Sequence, residues 1–276
     1  VRRLWGVLLV GVVAIAVAAC VVEPRPRTLP PGFANPRFLL ISDQAQGPIL
    51  VGGDFGMQIS LDGGRTWEPT DAGQVPAIAA AAVDDQILVS RGLTSQSYHY
   101  ALTAAPAPAV AWGFSGAVTV LAGNARRDRL WAVTIDDQPV LHYSNDGGVY
   151  WWPMPAVGLC PNPRGLAVSA PKAKLAERLW VACGKRGLLA SDDLGVSFQA
   201  VPGVANVLSV AAARSKSGQI VIATPEVLVS KDRGATWILS GFLAYDVAID
   251  PRNPDLVFAV GLDAKIHASI DGGASF

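Results

Sequence analysis

Residues 60–67 read SLDGGRTW, and the same eight-residue pattern returns as SNDGGVYW at 144–151, SDDLGVSF at 191–198, SKDRGATW at 230–237 and SIDGGASF at 269–276. The shared positions are Ser, Asp, Gly and a final aromatic: Ser60, Asp62, Gly64 and Trp67; Ser144, Asp146, Gly148 and Trp151; Ser191, Asp193, Gly195 and Phe198; Ser230, Asp232, Gly234 and Trp237; Ser269, Asp271, Gly273 and Phe276. Such a pattern suits a β-hairpin corner. Asp accepts hydrogen bonds from turn amides, Gly supplies positive φ, and the aromatic opens the next strand and packs beneath the turn. A calcium loop needs several ligands, and one Asp per turn does not supply them, so these positions read as structural rather than metal-binding.

The copies start 84, 47, 39 and 39 residues apart. The first gap equals about two units, so a degenerate copy without the motif is expected over 87–114 (QILVSRG, SYHYALT, AVAWGF). Each unit parses into four short strands, as in AVTVLAG, RLWAVTID, VLHYSND and VYWWPMP. Four-stranded units of about 40 residues predict an all-β β-propeller with small, Ala-rich inner strands at the axis. Six blades are visible over 38–276. The sixth stops at Phe276 without an outer strand, which predicts a C-terminally truncated propeller, with seven blades an option for a longer chain.

Composition agrees. Charged residues make up 16% and hydrophobic ones 51%, with 28 Gly and 20 Pro, which excludes disordered acidic or basic tails and favours turn-rich β structure. A net charge of zero and only six Lys argue against nucleic-acid binding. Part of the apolar excess lies in VRRLWGVLLVGVVAIAVAAC at 1–20: Arg2 and Arg3, an apolar run from Leu4 to Ala19, then Cys20. That order is a secretory signal (1–19). The Pro-rich stretch 20–37 reads as a tether.

The Val-Ala-Ala-Cys ending resembles the lipobox of bacterial lipoproteins, which implies lipidation of Cys20 and a membrane-anchored location in the bacterial cell envelope, facing the periplasm or the cell exterior. The octapeptide resembles the Asp-box, or BNR repeat, of sialidases, sortilin-type receptors, some glucanases and photosystem II assembly factors. The resemblance implies the propeller fold over 38–276. It also implies that the loops on the face opposite the repeat turns carry the site.

Those loops offer Asp54, Arg91, Asp136, Asp137, Arg164, Lys185, Arg186, Glu226, Tyr245 and Asp263 as a candidate binding face. The sialidase resemblance implies three Arg, a Tyr–Glu pair and an acidic Asp. Here Arg37 sits in NPRFLL instead of Arg-Ile-Pro, and Glu226 alone of four Glu lies on the expected face. No catalytic residue is assigned, and no cofactor or metal is expected, since His99, His142 and His267 fall in three blades. Trp151 and Trp152 are adjacent in one strand, so one points inward and one outward. Cys160 and Cys183 permit a disulfide or two buried thiols. The expected function is a lipid-anchored scaffold that binds a protein or glycan, as an assembly or stability factor for a membrane complex; the alternative is a sialidase-like or other glycoside hydrolase.

Overall fold

The computed structural model describes residues 26–30, 33, 36–42, 48–70, 76–83, 86–91, 96–101, 110–111, 116–124, 128–170, 177–216 and 218–276. The signal region, Cys20 and Asp71, a further acid of the loops leading into the inner strands, lie outside these. Every regular element among the described residues is a β-strand, and no helix is long and apolar enough to cross a membrane.

The strands form six four-stranded antiparallel units, the blades of a β-propeller. Blade 1 is Phe38–Ile41, Ile49–Gly53, Gly56–Ser60 and Glu68–Pro69. Blade 2, the copy without the motif, is Ala77–Val83, Gln86–Arg91, Gln96–Ala101 and Val110–Ala111. Blade 3 is Ala117–Gly123, Leu130–Ile135, Pro139–Ser144 and Trp152–Pro153. Blade 4 is Gly165–Ser169, Arg178–Ala182, Leu188–Ser191 and Gln199–Ala200. Blades 5 and 6 share a seven-stranded sheet. Ser209–Ala212, Ile220–Ala223 and Glu226–Ser230 begin blade 5. The 12-residue segment Ile238–Ile249 is its outer strand and then the inner strand of blade 6, turning at Gly241 with φ 74°. Val257–Gly261 and Lys265–Ser269 follow.

The sixth blade does not lack an outer strand. Arg27–Thr28 pairs antiparallel with Lys265–Ser269, Arg27 opposite Ile266 and Thr28 opposite Lys265. The expectation of an unfinished blade fails because the Pro-rich stretch reads as a tether, which leaves an edge strand out of account. Pro excludes central strands but is tolerated at sheet edges, and this is an edge strand of two residues. Just beyond it, Leu29 and Phe33 are buried among Ile41, Val51, Phe258 and Ile266, between the first blade and the last. Two apolar residues in a Pro-rich stretch were the available signal.

The repeat turn is a dense hydrogen-bond knot. In the first copy, Ser60 Oγ donates to Asp62 Oδ1 at 2.8 Å, and the amides of Arg65 and Thr66 donate to the same oxygen at 2.9 Å. Thr66 Oγ1 donates to Asp62 Oδ2 at 2.8 Å, and the Gly64 amide donates to Ser60 Oγ at 2.7 Å. The hydroxyl at the seventh position recurs in Ser197, Thr236 and Ser275, each donating to its Asp. In the third-blade copy that position is Tyr150, which gives Asp146 only its amide.

Each repeat aromatic then wedges into the seam with the preceding blade. Trp67 packs on the cluster between blades 6 and 1, Trp151 between 2 and 3, and Phe198 between 3 and 4. Trp237 and Phe276 do the same for the two seams that follow. Trp67 also donates from Nε1 to the Thr28 carbonyl at 3.1 Å, clasping the closing strand. Gly195 shows why the repeat needs Gly: its φ is 99°, and a Cβ there would stand 2.4 Å from Leu141 Cδ2 of blade 3.

Phe33 is 1% exposed. Phe33→Ala is expected to destabilise the protein by about 3 kcal/mol, the usual cost of truncating a buried Phe. Urea denaturation measures this; a variant as stable as wild type would remove the N-terminal segment from the folded ring.

Candidate functional site

The six inner strands converge on a central cavity of about 160 Å³. Most residues lining it are aliphatic, among them Ala79 to Ala81, Val120 to Ala122 and Leu166 to Val168, because small or branched apolar side chains fit where six strands meet. The loops between second and third strands, and those leading into each inner strand, surround one mouth. The repeat turns surround the other.

At the loop mouth, Arg37 donates from Nε and from a terminal guanidinium nitrogen to Asp54 Oδ1 at 3.2 and 3.1 Å, and both are exposed. That pair is worth little in stability. Asp136 and Asp137 are exposed in the third-blade turn. Asp263 accepts from Lys265 N at 3.2 Å and lies 3.1 Å from His267 Nε2. Desolvation pushes its carboxyl up, but the His267 contact and Lys265 together outweigh it and lower its pKa. Phe242 packs on the His267 ring at 4.6 Å.

Three of the expected loop residues belong to strands. Arg91 ends Gln86–Arg91, Glu226 begins Glu226–Ser230, and Tyr245 lies within Ile238–Ile249. The turns are tighter than their polarity suggests: the chain reverses within a few residues, and ladder pairing extends into the polar positions. Glu226 Oε1 accepts from the Gly241 amide at 2.9 Å, which holds the reversal between blades 5 and 6.

Blade 4 carries the basic corner. Arg164, Lys185 and Arg186 are all exposed, and none makes an ion pair among the described residues. Cys160 and Cys183 form a disulfide. It joins the segment leading to Arg164 to the Gly184–Gly187 turn that carries Lys185 and Arg186. Such a bond stabilises by about 3 kcal/mol in the chain-entropy model for a loop of this size. The same turn is held by Cys183 N to Gly187 O at 2.9 Å and Gly184 N to Val207 O at 2.8 Å.

Exposed apolar side chains gather on the other side of this mouth. Phe55 is 63% exposed, Leu243 48%, Tyr245 43% and Leu262 46%. They come from the second-to-third-strand turns of blades 1 and 6 and from the reversal between blades 5 and 6. They form an arc across the mouth from the basic corner.

Asp246 is a further candidate of the loop face, offered by the sequence beside Tyr245 in the segment leading into the sixth inner strand. It lines the cavity at the start of the sixth inner strand. Ser209 Oγ of blade 5 and the Val247 amide donate to its Oδ1, the latter at 2.9 Å, while Oδ2 is buried without a hydrogen-bond partner. Burial raises its pKa to about 6, against the opposing pull of Ser209 and of the Val247 and Leu39 amides. It touches blades 5, 6 and 1, where the ring closes. Its position is legible in sequence but its burial is not, since only tertiary packing buries it.

A BNR/Asp-box repeat model matches residues 58–69. The fold is a β-propeller. Among solved structures, the chain is similar to a GH74 enzyme of Niastella koreensis, at TM-score 0.53 and 18% identity, covering 81% of this chain and 35% of that one. It therefore spans about a third of that enzyme's length. It is also similar to YCF48 bound to D1 peptide, at TM-score 0.52 and 15% identity, covering 90% of this chain and 96% of that one. The Pan2 WD40 domain of Neurospora crassa aligns at TM-score 0.58 and 13% identity, over 84% of this chain and 74% of that domain. Likeness at such identities is likeness of fold. No curated protein sequence matches the chain. Among the described residues no three His, Cys, Asp or Glu side chains gather to hold a metal ion.

Two kinds of carboxylate give stability opposite pH dependences. Asp246 has a raised folded pKa, so its penalty is present above pH 6 and is relieved as pH falls from about 6 toward the unfolded value of 3.8. Burial raises the turn carboxylates Asp62, Asp193 and Asp271, but their several hydrogen bonds together outweigh it, as the Thr236 and Ser230 hydrogen bonds do for Asp232; all four are lowered to about 2. Their contribution is present above about pH 4 and is lost as pH falls toward 2. Stability is therefore expected to peak between about pH 4 and 6. Asp246→Asn should raise the neutral-pH melting temperature and flatten the fall between pH 5 and 7.5; an unchanged profile in that variant would clear Asp246 of the effect.

Proposed function

We propose that this chain is an exported, lipid-anchored propeller that docks an extended protein segment across its loop face, as an assembly or stability factor for a membrane complex. The observation that carries the reading is the arrangement at the loop mouth. An arc of exposed apolar side chains, Phe55, Leu243, Tyr245 and Leu262, faces a disulfide-braced basic corner of Arg164, Lys185 and Arg186 across the cavity. Exposed apolar side chains beside unpaired charge suit a partner that is apolar at one end and acidic at the other. The similarity in fold to YCF48, whose structure holds a D1 peptide, supports a peptide occupant. The Cys20 lipobox supports attachment to a membrane through acyl chains, stable where more than one chain is added.

The second reading, a glycoside hydrolase, is favoured by one residue. A carboxyl with a pKa of about 6 at a cavity wall is suited to general acid work. Loss of a measured glycosidase activity in Asp246→Asn, with folding intact, would move the assignment there.

Photo-crosslinkers at Phe55 and Leu262 are expected to capture one subunit of a membrane complex in cells. A crosslinker at Leu61, exposed on a repeat turn, should not. Reversing Arg164, Lys185 and Arg186 to Glu should cut capture by about tenfold or more, the effect of losing a small number of charged contacts. Equal labelling from both faces would refute the loop face as the docking surface. Separately, Cys20→Ser is expected to abolish acyl labelling and move the protein from the detergent phase to the aqueous phase.

A further inference from the structure

Blade 3 departs from its siblings in a way the fold does not need. Trp131, Tyr143 and Trp152 lie directly opposite one another on its last three strands. Residues paired in this way project to the same side of a sheet. Their rings form a row, 5.2 Å from Trp131 to Tyr143 and 6.5 Å from Tyr143 to Trp152. Trp131 is fully buried and donates to the Leu194 carbonyl of blade 4 at 3.1 Å, so the row faces blade 4, across a seam that Val157 bridges by donating to the Val196 carbonyl at 3.0 Å. Trp152, at the outer end, is 47% exposed.

The corresponding outer positions are Glu68 opposite Ile59, Gln199 opposite Ala190 and Ile238 opposite Val229. The repeat thus tolerates acid, amide or aliphatic side chains there, and an indole is not required for packing. The packing role belongs to Trp151, which is wedged between blades 2 and 3 with its Nε1 donating to the Gly148 carbonyl at 2.9 Å.

Polar groups border the platform. Tyr143 lies within the electrostatic field of Arg129, Glu177 and Asp128. Arg129 of blade 3 donates to Glu177 of blade 4 at 3.2 Å, and Asn124 Nδ2 donates to both Asp128 and Glu177, at 2.8 and 2.9 Å. The Arg129 side chain is 41% exposed and gives one donor to Glu177.

We propose that the outer edge of the seam between blades 3 and 4 is a carbohydrate subsite, with Trp152 and Tyr143 as the stacking floor and Arg129 and Asp128 as the hydrogen-bonding border, Arg129 being held in place by the buried Glu177. A pyranose has an apolar face of axial C–H bonds and an equatorial rim of hydroxyls, each both donor and acceptor. A flat indole meets the first. A guanidinium beside a carboxylate meets the second. A peptide strand fits less well. The exposed edge here is two residues long and ends in Pro153, which has no N–H to offer a partner strand. The subsite is on the side of the repeat turns, away from the loop mouth, and does not rest on the docking function proposed there.

The test is titration of the full chain with cellotetraose and with chitotetraose, whose equatorial linkages expose flat faces, followed by tryptophan fluorescence. Saturable quenching at millimolar sugar is expected with at least one of them. Trp152→Ala should weaken binding by about tenfold or more, as loss of a stacking partner does, and Trp152→Phe should retain most of it. Because Trp152 is half exposed, the melting temperature of both variants should stay near that of wild type. No saturable binding to either sugar, or equal binding by Trp152→Ala, overturns the proposal.

Discussion

The structure depends on one recurring contact, the carboxylate of the repeat turn gathering the hydroxyls and amides around it. Asp62, Asp193, Asp232 and Asp271 each hold the preceding Ser hydroxyl, turn amides and a hydroxyl four residues on. This knot fixes the angle at which the chain leaves the third strand. That angle aims the final aromatic into the seam with the blade before it. A turn that satisfies its own backbone polar groups locally can sit at a rim, and its aromatic supplies the apolar area that joins neighbouring blades. Local hydrogen bonding and inter-blade packing are therefore one device, repeated.

A ring built this way has a closing problem that no single repeat solves. The last blade needs an outer strand, and the first needs a neighbour. Arg27–Thr28 meets both needs, pairing with the third strand of blade 6 while Trp67 of blade 1 grips the Thr28 carbonyl. Leu29 and Phe33 fill the seam beneath. Asp246 stands at the same junction on the inner side, a buried carboxyl touching blades 5, 6 and 1. Its raised pKa marks the closure as the place where the ring carries an electrostatic cost at neutral pH.

The two faces divide the work by a simple rule. The repeat-turn face is committed to hydrogen bonding within each turn, so all five repeat Asp residues are spent on structure. The loop face is free to vary, and there the chain places unpaired cations, exposed apolar side chains and the Arg37–Asp54 pair. The aromatic row of blade 3 is the exception on the repeat-turn side, and it stands out because the other blades do without it.

Much of this was legible in the residues. Five octapeptides with a retained aromatic announced turns, strands and blade spacing, because the chemistry of a turn is local and its period is written along the chain. The missed hydroxyl at the seventh position was also written there, in Thr66, Ser197, Thr236 and Ser275, but its partner is evident only once the turn is folded. The strand at 27–28 was hidden because two residues between prolines carry no periodic signal. The burial of Asp246 was hidden because it is a property of the ring. Whether Trp151 or Trp152 faced outward followed alternation only as a choice of two, and the neighbouring blade made the choice. Sequence by itself thus determined the blade and its repeat. Tertiary structure decided the closure, the buried carboxyl and which surface is exposed, since each of these depends on contacts between residues far apart in the chain.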